Sequence, residues 1–167
     1  MGKNPILWRI VGKPAMVGFI GQSENSIDDK GRVALPARMR RELSPDAQET
    51  FVASRGIEKC ITLVPLNIWE AKAELLRKLN AFNKDNRTVK RKESRWSEVV
   101  TLDAQGRISL ARHLIEYAEL TSGKAIVLGA TDSIEIWDPE ILRAEDDALA
   151  DTYTGLVERV MNRLDDE

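Results

Sequence analysis

Residues 27–40 read IDDKGRVALPARMR, and residues 102–115 read LDAQGRISLARHLI. In both stretches an Asp is followed three and four positions later by Gly-Arg, then by a short apolar run and a helical pattern. The stretches lie 75 positions apart, so that Gly31-Arg32-Val33 aligns with Gly106-Arg107-Ile108. Self-similarity at a fixed offset indicates that the chain contains two copies of one structural unit.

The repeat extends beyond this turn. The same offset aligns FVAS at Phe51 with IVLG at Ile126. After a two-residue deletion, ITLV at Ile61 aligns with IEIW at Ile134. Each unit is predicted to run strand, turn, strand, short helix, strand, turn, strand, long helix. Because one such unit buries too little apolar surface to be secure alone, we expect an α+β, β-rich fold with one intertwined, barrel-like core and flanking helices.

The boundaries of the units follow from changes in pattern. Residues 1–15 precede the repeat and are either an upstream-start artefact or a real, disordered extension. Residues 16–82 are predicted to form the first repeat with its helix, and residues 83–95, which lack an apolar stripe, a basic linker. Residues 96–137 then form the second repeat, and residues 138–167 an acidic C-terminal helix.

The bulk composition is that of a globular protein from a reducing compartment. Of the 167 residues, 43% are hydrophobic and 31% are charged, and aromatic residues make up only 5%. The sequence contains no apolar run of the roughly 18 residues that a membrane span requires. One cysteine, Cys60, excludes an intramolecular disulfide framework. These features predict a cytoplasmic protein without a membrane partner.

Charge is distributed unevenly along the chain. The whole chain carries −2, whereas the segment from Asp138 onward holds ten acidic and three basic residues, which leaves +5 on residues 1–137. Six cations lie between Lys84 and Arg95, and a second cationic group surrounds the first turn. A cationic body of this kind suits an anionic partner such as nucleic acid, although solvated charged faces are also common.

The repeated turn has a chemistry of its own. Gly31 and Gly106 supply the positive φ of a tight turn, and Asp28 and Asp103 can accept backbone N–H bonds that close it. The arginine that follows each glycine is then placed on a rigid turn, where its fork can engage a phosphate or a guanine edge. The alternative is that each Asp–Arg pair only pins its own turn.

Catalysis and metal binding are poorly supported by the residues present. His113 is the only histidine and Cys60 the only cysteine, so a conventional His/Cys zinc cage is unavailable. Asp28 and Asp29 are neighbours on a turn and are expected to point apart rather than to act as an acid–base pair. We expect no enzyme activity, cofactor or small-molecule substrate. An enzyme is the main alternative class to a nucleic-acid-binding protein, and a protein-binding scaffold is the second alternative.

Both turns and the strand IEIWDPE resemble the MraZ family of bacterial transcriptional regulators, and each half is similar to the AbrB/SpoVT type of swapped-hairpin unit. The likeness covers about residues 16–160. One departure is Ala111, where the family has a proline that Pro36 supplies in the first half. The resemblance implies a double-stranded-DNA-binding homo-oligomeric ring at the nucleoid, which controls a division and cell-wall gene cluster including its own gene.

The family's Asp-x-x-x-Arg motif falls on Asp28 and Arg32 and on Asp103 and Arg107, and the resemblance implies that the two arginines contact DNA. We expect further phosphate contacts or electrostatic steering from three nearby cations, and for Arg40 an ion pair with a neighbouring subunit is an alternative role. These are Lys30, Arg38 and Arg40. An AbrB-like antitoxin or a scaffold without specific DNA readout remains the alternative function.

Overall fold

The computed structural model describes residues 18–165, and the extension expected over residues 1–15 lies outside them. The first repeat has two strands, a short helix, two further strands and a long helix, in the predicted order. They are β1 (Gln22–Ser26), β2 (Arg32–Ala34), α1 (Ala37–Glu42), β3 (Thr50–Arg55), β4 (Ile61–Pro65) and α2 (Leu66–Lys78).

The basic segment after the first repeat connects the two halves as a helix, α3 (Lys84–Arg95). Its first turn is capped by Asn83, whose side chain accepts hydrogen bonds from the backbone N–H groups of Asp85 (2.8 Å) and Asn86 (3.1 Å). The second repeat then follows the order of the first. Its elements are β5 (Glu98–Thr101), β6 (Arg107–Ser109), α4 (Arg112–Tyr117), β7 (Lys124–Gly129), β8 (Ile134–Trp137), α5 (Pro139–Leu149) and α6 (Tyr153–Asp165).

The C-terminal segment, expected to form one acidic helix, is divided into α5 and α6. The carbonyl of Leu149 accepts from both the backbone N–H (2.9 Å) and the hydroxyl (3.4 Å) of Thr152. This local closure competes with the regular helical ladder and ends α5. No helix of residues 18–165 is long and apolar enough to cross a membrane.

The two repeats exchange strands. Six strands form one antiparallel sheet in the order β1-β7-β8-β4-β3-β5, and β2 pairs with β6 in a separate two-stranded ladder. When each strand is replaced by its counterpart in the other repeat, the result is the same strand order read from the opposite edge of the sheet. A pseudo-twofold axis between the repeats requires this symmetry. The α+β class and the intertwining are therefore confirmed. The barrel-like detail is not, since among the described residues no closed sheet is found and β1 and β5 lie at open edges.

The pairing of β3 corrects the repeat alignment. The hydrogen-bond register gives β3 and β7 an offset of 74 residues, not 75. The predicted match of Phe51 with Ile126 is therefore wrong by one position, and Phe51 corresponds to Ala125. Phe51 and Ala125 are both fully buried, whereas Ile126 is only half-buried. A one-residue slip exchanges the two faces of a strand, and the continuous apolar runs of both strands hide it from the sequence.

The core lies between the large sheet and the small ladder. Val33 of β2 and Ile108 of β6 face each other at the centre of the ladder and are 0% and 1% exposed. They pack in one cluster with inward residues of the sheet, among them Phe51, Leu63 and Ile136. Because both halves contribute to this cluster, the ladder that carries the turns is fixed to the sheet by apolar burial.

Candidate nucleic-acid interface

The first turn, residues 28–32, is organised around the carboxylate of Asp28. Its Oδ1 accepts hydrogen bonds from the backbone N–H groups of Lys30 (3.0 Å) and Arg32 (2.9 Å). The Asp28 carbonyl accepts from the N–H of Gly31 at 2.9 Å, and Gly31 has a φ of +74°. A residue with a Cβ is strained in that conformation, so the turn requires the glycine.

The second turn, residues 103–107, has the same geometry. Oδ1 of Asp103 accepts from the backbone N–H groups of Gln105 and Arg107, each at 2.9 Å. The N–H of Gly106 donates to the Asp103 carbonyl at 2.9 Å, and its φ is +73°. The two turns are therefore built by the same hydrogen bonds from corresponding residues.

Each arginine is held by the aspartate of its own turn through one nitrogen. Nε of Arg32 donates to Oδ2 of Asp28 at 2.6 Å, and Nε of Arg107 donates to Oδ2 of Asp103 at 2.8 Å. About a third of each arginine side chain is exposed, 33% and 31%. Since the ion pair engages Nε, both terminal NH₂ groups of Arg32 and Nη1 of Arg107 make no hydrogen bond to a described residue and can reach an outside acceptor. The pinning of the turn therefore does not exclude such contacts.

The aspartates are stabilised as carboxylates. The pKa of Asp28 lies below its ordinary value, first because the backbone N–H of Arg32 donates to the charged form and then because of the Arg32 side chain. The pKa of Asp103 is lowered by the same contacts from Arg107. Both groups are therefore charged at neutral pH and hold the guanidinium groups in place.

The β2–β6 ladder brings the two arginines onto one face. Arg32 pairs with Ser109, Val33 with Ile108, and Ala34 with Arg107. Side chains alternate along a strand, so the outer pairs face away from the buried central pair. Arg32 and Arg107 are consequently diagonal neighbours on the outward face, a relation that places the Cα atoms of two residues roughly 7–8 Å apart. Two buttressed arginines thus share one surface across the pseudo-twofold axis.

The other predicted contacts are distributed around this surface. Lys30 is exposed on the first turn, and Arg38 is exposed on α1. Arg40 crosses to the second turn: its Nε donates to the Leu35 carbonyl at 3.2 Å, and its guanidinium lies against Gly106, where a Cβ would be 2.5 Å from Nη1. One extra cation therefore accompanies each arginine, Lys30 at the first turn and Arg40 at the second.

Sequence reasoning missed two features of the second turn. The offset places Gln105 opposite Lys30, and the Gln105 Oε1 accepts from Nη2 of Arg107 at 3.4 Å, so that an amide lies beside this guanidinium. The placement of Arg40 over the turn of the other repeat was also missed. Its counterpart in the alignment, Ile115, lies over Gly31 instead. The alignment of the repeats shows that Gln105 replaces Lys30 and that Ile115 replaces Arg40. Only the exchange of strands between the repeats shows which turn each of these side chains faces.

His113 and Cys60, which were considered as metal ligands, lie away from the two turns. His113 is half-buried beside Trp96, with ring centroids 5.7 Å apart, and its Nδ1 lies 3.5 Å from Glu98 Oε1. Cys60 is buried, and burial raises the pKa of its thiol to about 12, so it is not a thiolate nucleophile. Within residues 18–165, no group of three or more His, Cys, Asp or Glu side chains could hold a metal ion.

Comparison with known proteins identifies a family. The family model described as "MraZ protein, putative antitoxin-like" matches residues 19–92 and 97–145. A protein named "Transcriptional regulator MraZ" from Thermomicrobium roseum is 37% identical over 142 residues, which cover 85% of this chain and 96% of that protein.

Two further relatives carry the same name. The protein from Flavobacterium psychrophilum is 33% identical over 152 residues, covering 89% of this chain and 95% of the relative. The protein from a Roseiflexus species is 39% identical over 121 residues, covering 72% of this chain and 81% of the relative. The match of the family model to both repeats, together with these identities over most of each chain, shows that the chain belongs to the MraZ family.

Proposed function

We propose that the protein is a transcriptional regulator that binds double-stranded DNA, with Arg32 and Arg107 as its central contacts. The proposal rests on the two arginines that lie on one outward face of the ladder, each held by an ion pair with the aspartate of its own turn. The names of the relatives support a regulatory role, which is not an enzymatic one. The protein then acts by binding rather than by catalysis.

The geometry suits recognition of a guanine edge or a pair of phosphates. A guanine presents O6 and N7 in the major groove, and an arginine fork can donate to both. An arginine already held through Nε loses less conformational freedom on binding than a free side chain. Lys30, Arg38 and Arg40 supply phosphate contacts around the pair, so affinity falls as salt rises.

Self-association into a ring is part of the proposal. Several large apolar side chains are exposed on the helices, which is expected of surfaces that another copy covers. A ring presents the arginine pair many times, so tandem DNA repeats gain affinity through effective concentration. The exposed apolar side chains on the helices include Leu75 (65%), Tyr153 (61%), Met161 (55%) and Leu164 (63%), and Phe82 (96%) is exposed in the loop between α2 and α3.

The target and location follow from the family resemblance. We propose that the DNA site lies upstream of a division and cell-wall gene cluster that includes this protein's own gene. The protein would then be found in the cytoplasm at the nucleoid.

The test is fluorescence anisotropy with the duplex upstream of the protein's own gene and a scrambled duplex. The variant Arg32→Ala/Arg107→Ala is compared with Arg77→Ala/Arg143→Ala, which removes the same charge from two arginines that are each 66% exposed on helices. We expect the first variant alone to lose preference for the native duplex, with circular dichroism unchanged. Equal preference in both variants would refute the assignment of the contacts.

An antitoxin-like or other protein-binding role is the second candidate, because the family description includes that term. It requires no arginine pair aimed at DNA. Equal, weak binding of wild type to the native and scrambled duplexes would favour it, since only a cationic surface would then remain.

A further inference from the structure

A cationic cleft lies away from the turns, where α3 packs beside the end of β3. It has a volume of about 420 Å³ and is lined by Arg55, Thr88, Arg91, Lys92, Arg95 and Trp96. We propose that this cleft is a binding site for a phosphate group, carried either by a small phosphorylated ligand or by a DNA backbone. The proposal does not depend on the role of the turn arginines.

Arg55 is the centre of the cleft. Its guanidinium carbon lies 3.6 Å from the ring centroid of Trp96 and 4.8 Å from that of Tyr117. The guanidinium carbon of Arg95 lies 4.5 Å from the Trp96 ring centroid. Two guanidinium groups therefore lie against one indole, which fixes their positions but does not neutralise their charge.

The cations of the cleft have no carboxylate partner among the described residues. Arg55, Arg91, Lys92 and Arg95 form no ion pair within residues 18–165, and Nε of Arg55 is buried without a hydrogen-bond partner. Arg55 is half-buried, whereas Arg91, Lys92 and Arg95 are exposed. The cost of burying an unpaired charge therefore falls on Arg55, and the other three cations add repulsion between like charges. A bound anion would relieve both costs.

One neighbouring acidic group is already ion-paired. Glu93, which borders an adjoining smaller cleft, is ion-paired with Lys72 on α2. None of the residues that line the cleft itself is acidic, so its lining carries a net positive charge.

The set of donors fits phosphate better than a carboxylate. A planar carboxylate is satisfied by one arginine fork, whereas a phosphate accepts from several donors arranged around it. The cleft offers the charged groups of three cations along one face of α3, Arg91, Lys92 and Arg95, in addition to that of Arg55. The hydroxyl of Thr88 donates to the Lys84 carbonyl at 3.0 Å, so the donors available to a ligand are the cationic groups. The volume of the cleft falls in the range of small-ligand sites, which are roughly 300–1,000 Å³.

The cleft is separate from the arginine pair. Arg55 is the last residue of β3, and Thr50 at the other end of that strand pairs with Thr101 just before the second turn. Five residues of strand span roughly 17 Å. A ligand in the cleft therefore does not occupy the face that carries Arg32 and Arg107.

The first arm of the test is calorimetric titration with inorganic pyrophosphate. Lys92→Gln removes one charge from the cleft, and Lys84→Gln removes the same charge from the same helix outside it. We expect saturable binding to wild type, affinity about tenfold weaker in Lys92→Gln, and less than a twofold change in Lys84→Gln. The comparison of Lys92→Gln with Lys84→Gln is repeated with Arg32→Ala/Arg107→Ala present, where the same tenfold difference in pyrophosphate affinity is expected, so a failure of the DNA proposal would not affect this arm.

The second arm measures DNA affinity for the same two lysine variants. If pyrophosphate does not bind but DNA affinity falls in Lys92→Gln and not in Lys84→Gln, the phosphate comes from the DNA backbone and the site is supported. If pyrophosphate binds and DNA affinity is equal in both, the ligand is a small phosphorylated molecule. If neither pyrophosphate nor DNA distinguishes the two variants, the proposal is overturned.

Discussion

The backbone N–H of Leu110 donates a hydrogen bond of 2.8 Å to the carbonyl of Gly31, so the first turn is held by the second repeat. The reciprocal bond, from the N–H of Leu35 to the carbonyl of Gly106, is 3.0 Å long. Neither turn is therefore complete within its own half. The arginines that the turns carry are positioned by the pairing of the two repeats.

This dependence predicts different outcomes for alanine at the two turn glycines. A Cβ on Gly31 would lie 2.7 Å from the backbone carbonyl oxygen of Leu110, whereas one on Gly106 would meet the movable guanidinium of Arg40. We expect Gly31→Ala to lower the free energy of unfolding by about 3 kcal/mol and Gly106→Ala by about 1–2 kcal/mol. Urea denaturation measures both values.

Gly123→Ala provides the control, because Gly123 has a φ of +74° and no atom near its Cβ position. It isolates the cost of positive φ, which is about 1–2 kcal/mol. If Gly31→Ala costs no more than Gly123→Ala, the close contact between the first turn and the second repeat is not an energetic constraint.

Removing the charge of Asp28 should weaken DNA binding while leaving the fold intact. In Asp28→Asn, Oδ1 can still accept from the two backbone N–H groups, but the amide nitrogen cannot accept from Nε of Arg32. We expect DNA affinity to fall by a factor of up to about five, because the guanidinium is no longer held. The thermal unfolding midpoint should stay close to that of wild type.

Asp29→Asn is the matched control on the same turn, since Asp29 is exposed and makes no side-chain hydrogen bond to a described residue. Removing its negative charge should leave affinity for a polyanion unchanged or slightly raised. A fall in affinity of the same size in both variants would indicate that Asp28 has no particular role in positioning Arg32.

The lowered pKa values of Asp28 and Asp103 predict how the turns respond to acid. Because each folded-state pKa lies below the unfolded one, the stabilisation is complete above the unfolded-state value, near pH 4, and is lost as the pH falls through the folded value. NMR signals of the Arg32 and Arg107 Nε–H groups should therefore be constant from neutral pH down to about pH 4.5 and change only below that. A change between pH 5 and 7 would contradict the assignment.

Much of the site could be predicted from the sequence, because its chemistry is local. The Asp-x-x-Gly-Arg spacing places donor, acceptor and positive φ within five residues, and those bonds are present in both turns. The helical character of residues 84–95 was missed, although Asn83 is a recognisable N-cap. Without an apolar stripe the segment resembled a linker, and its capping was the only local signal for a helix.

What the sequence could not provide was the relation between distant parts of the chain. Phe51 was aligned one position away from its true counterpart Ala125, since both strands are apolar on successive residues. The crossing of Arg40 to the turn around Gly106 and the stacking of Arg55 on Trp96 also depend on strand exchange and helix packing. Such contacts join positions far apart in the sequence, and the periodicity of apolar residues indicates only local secondary structure.

The most direct test of the central claim keeps the charge of the arginines and removes their geometry. Lysine has no equivalent of Nε, so it cannot both pair with the turn aspartate and present a fork to DNA. The ratio of affinities for the native and scrambled duplexes is measured by fluorescence anisotropy for wild type and for Arg32→Lys/Arg107→Lys. We predict that the ratio falls close to one in the lysine variant, while weak, salt-dependent binding persists. A lysine variant that discriminates between the duplexes as wild type does would contradict the account.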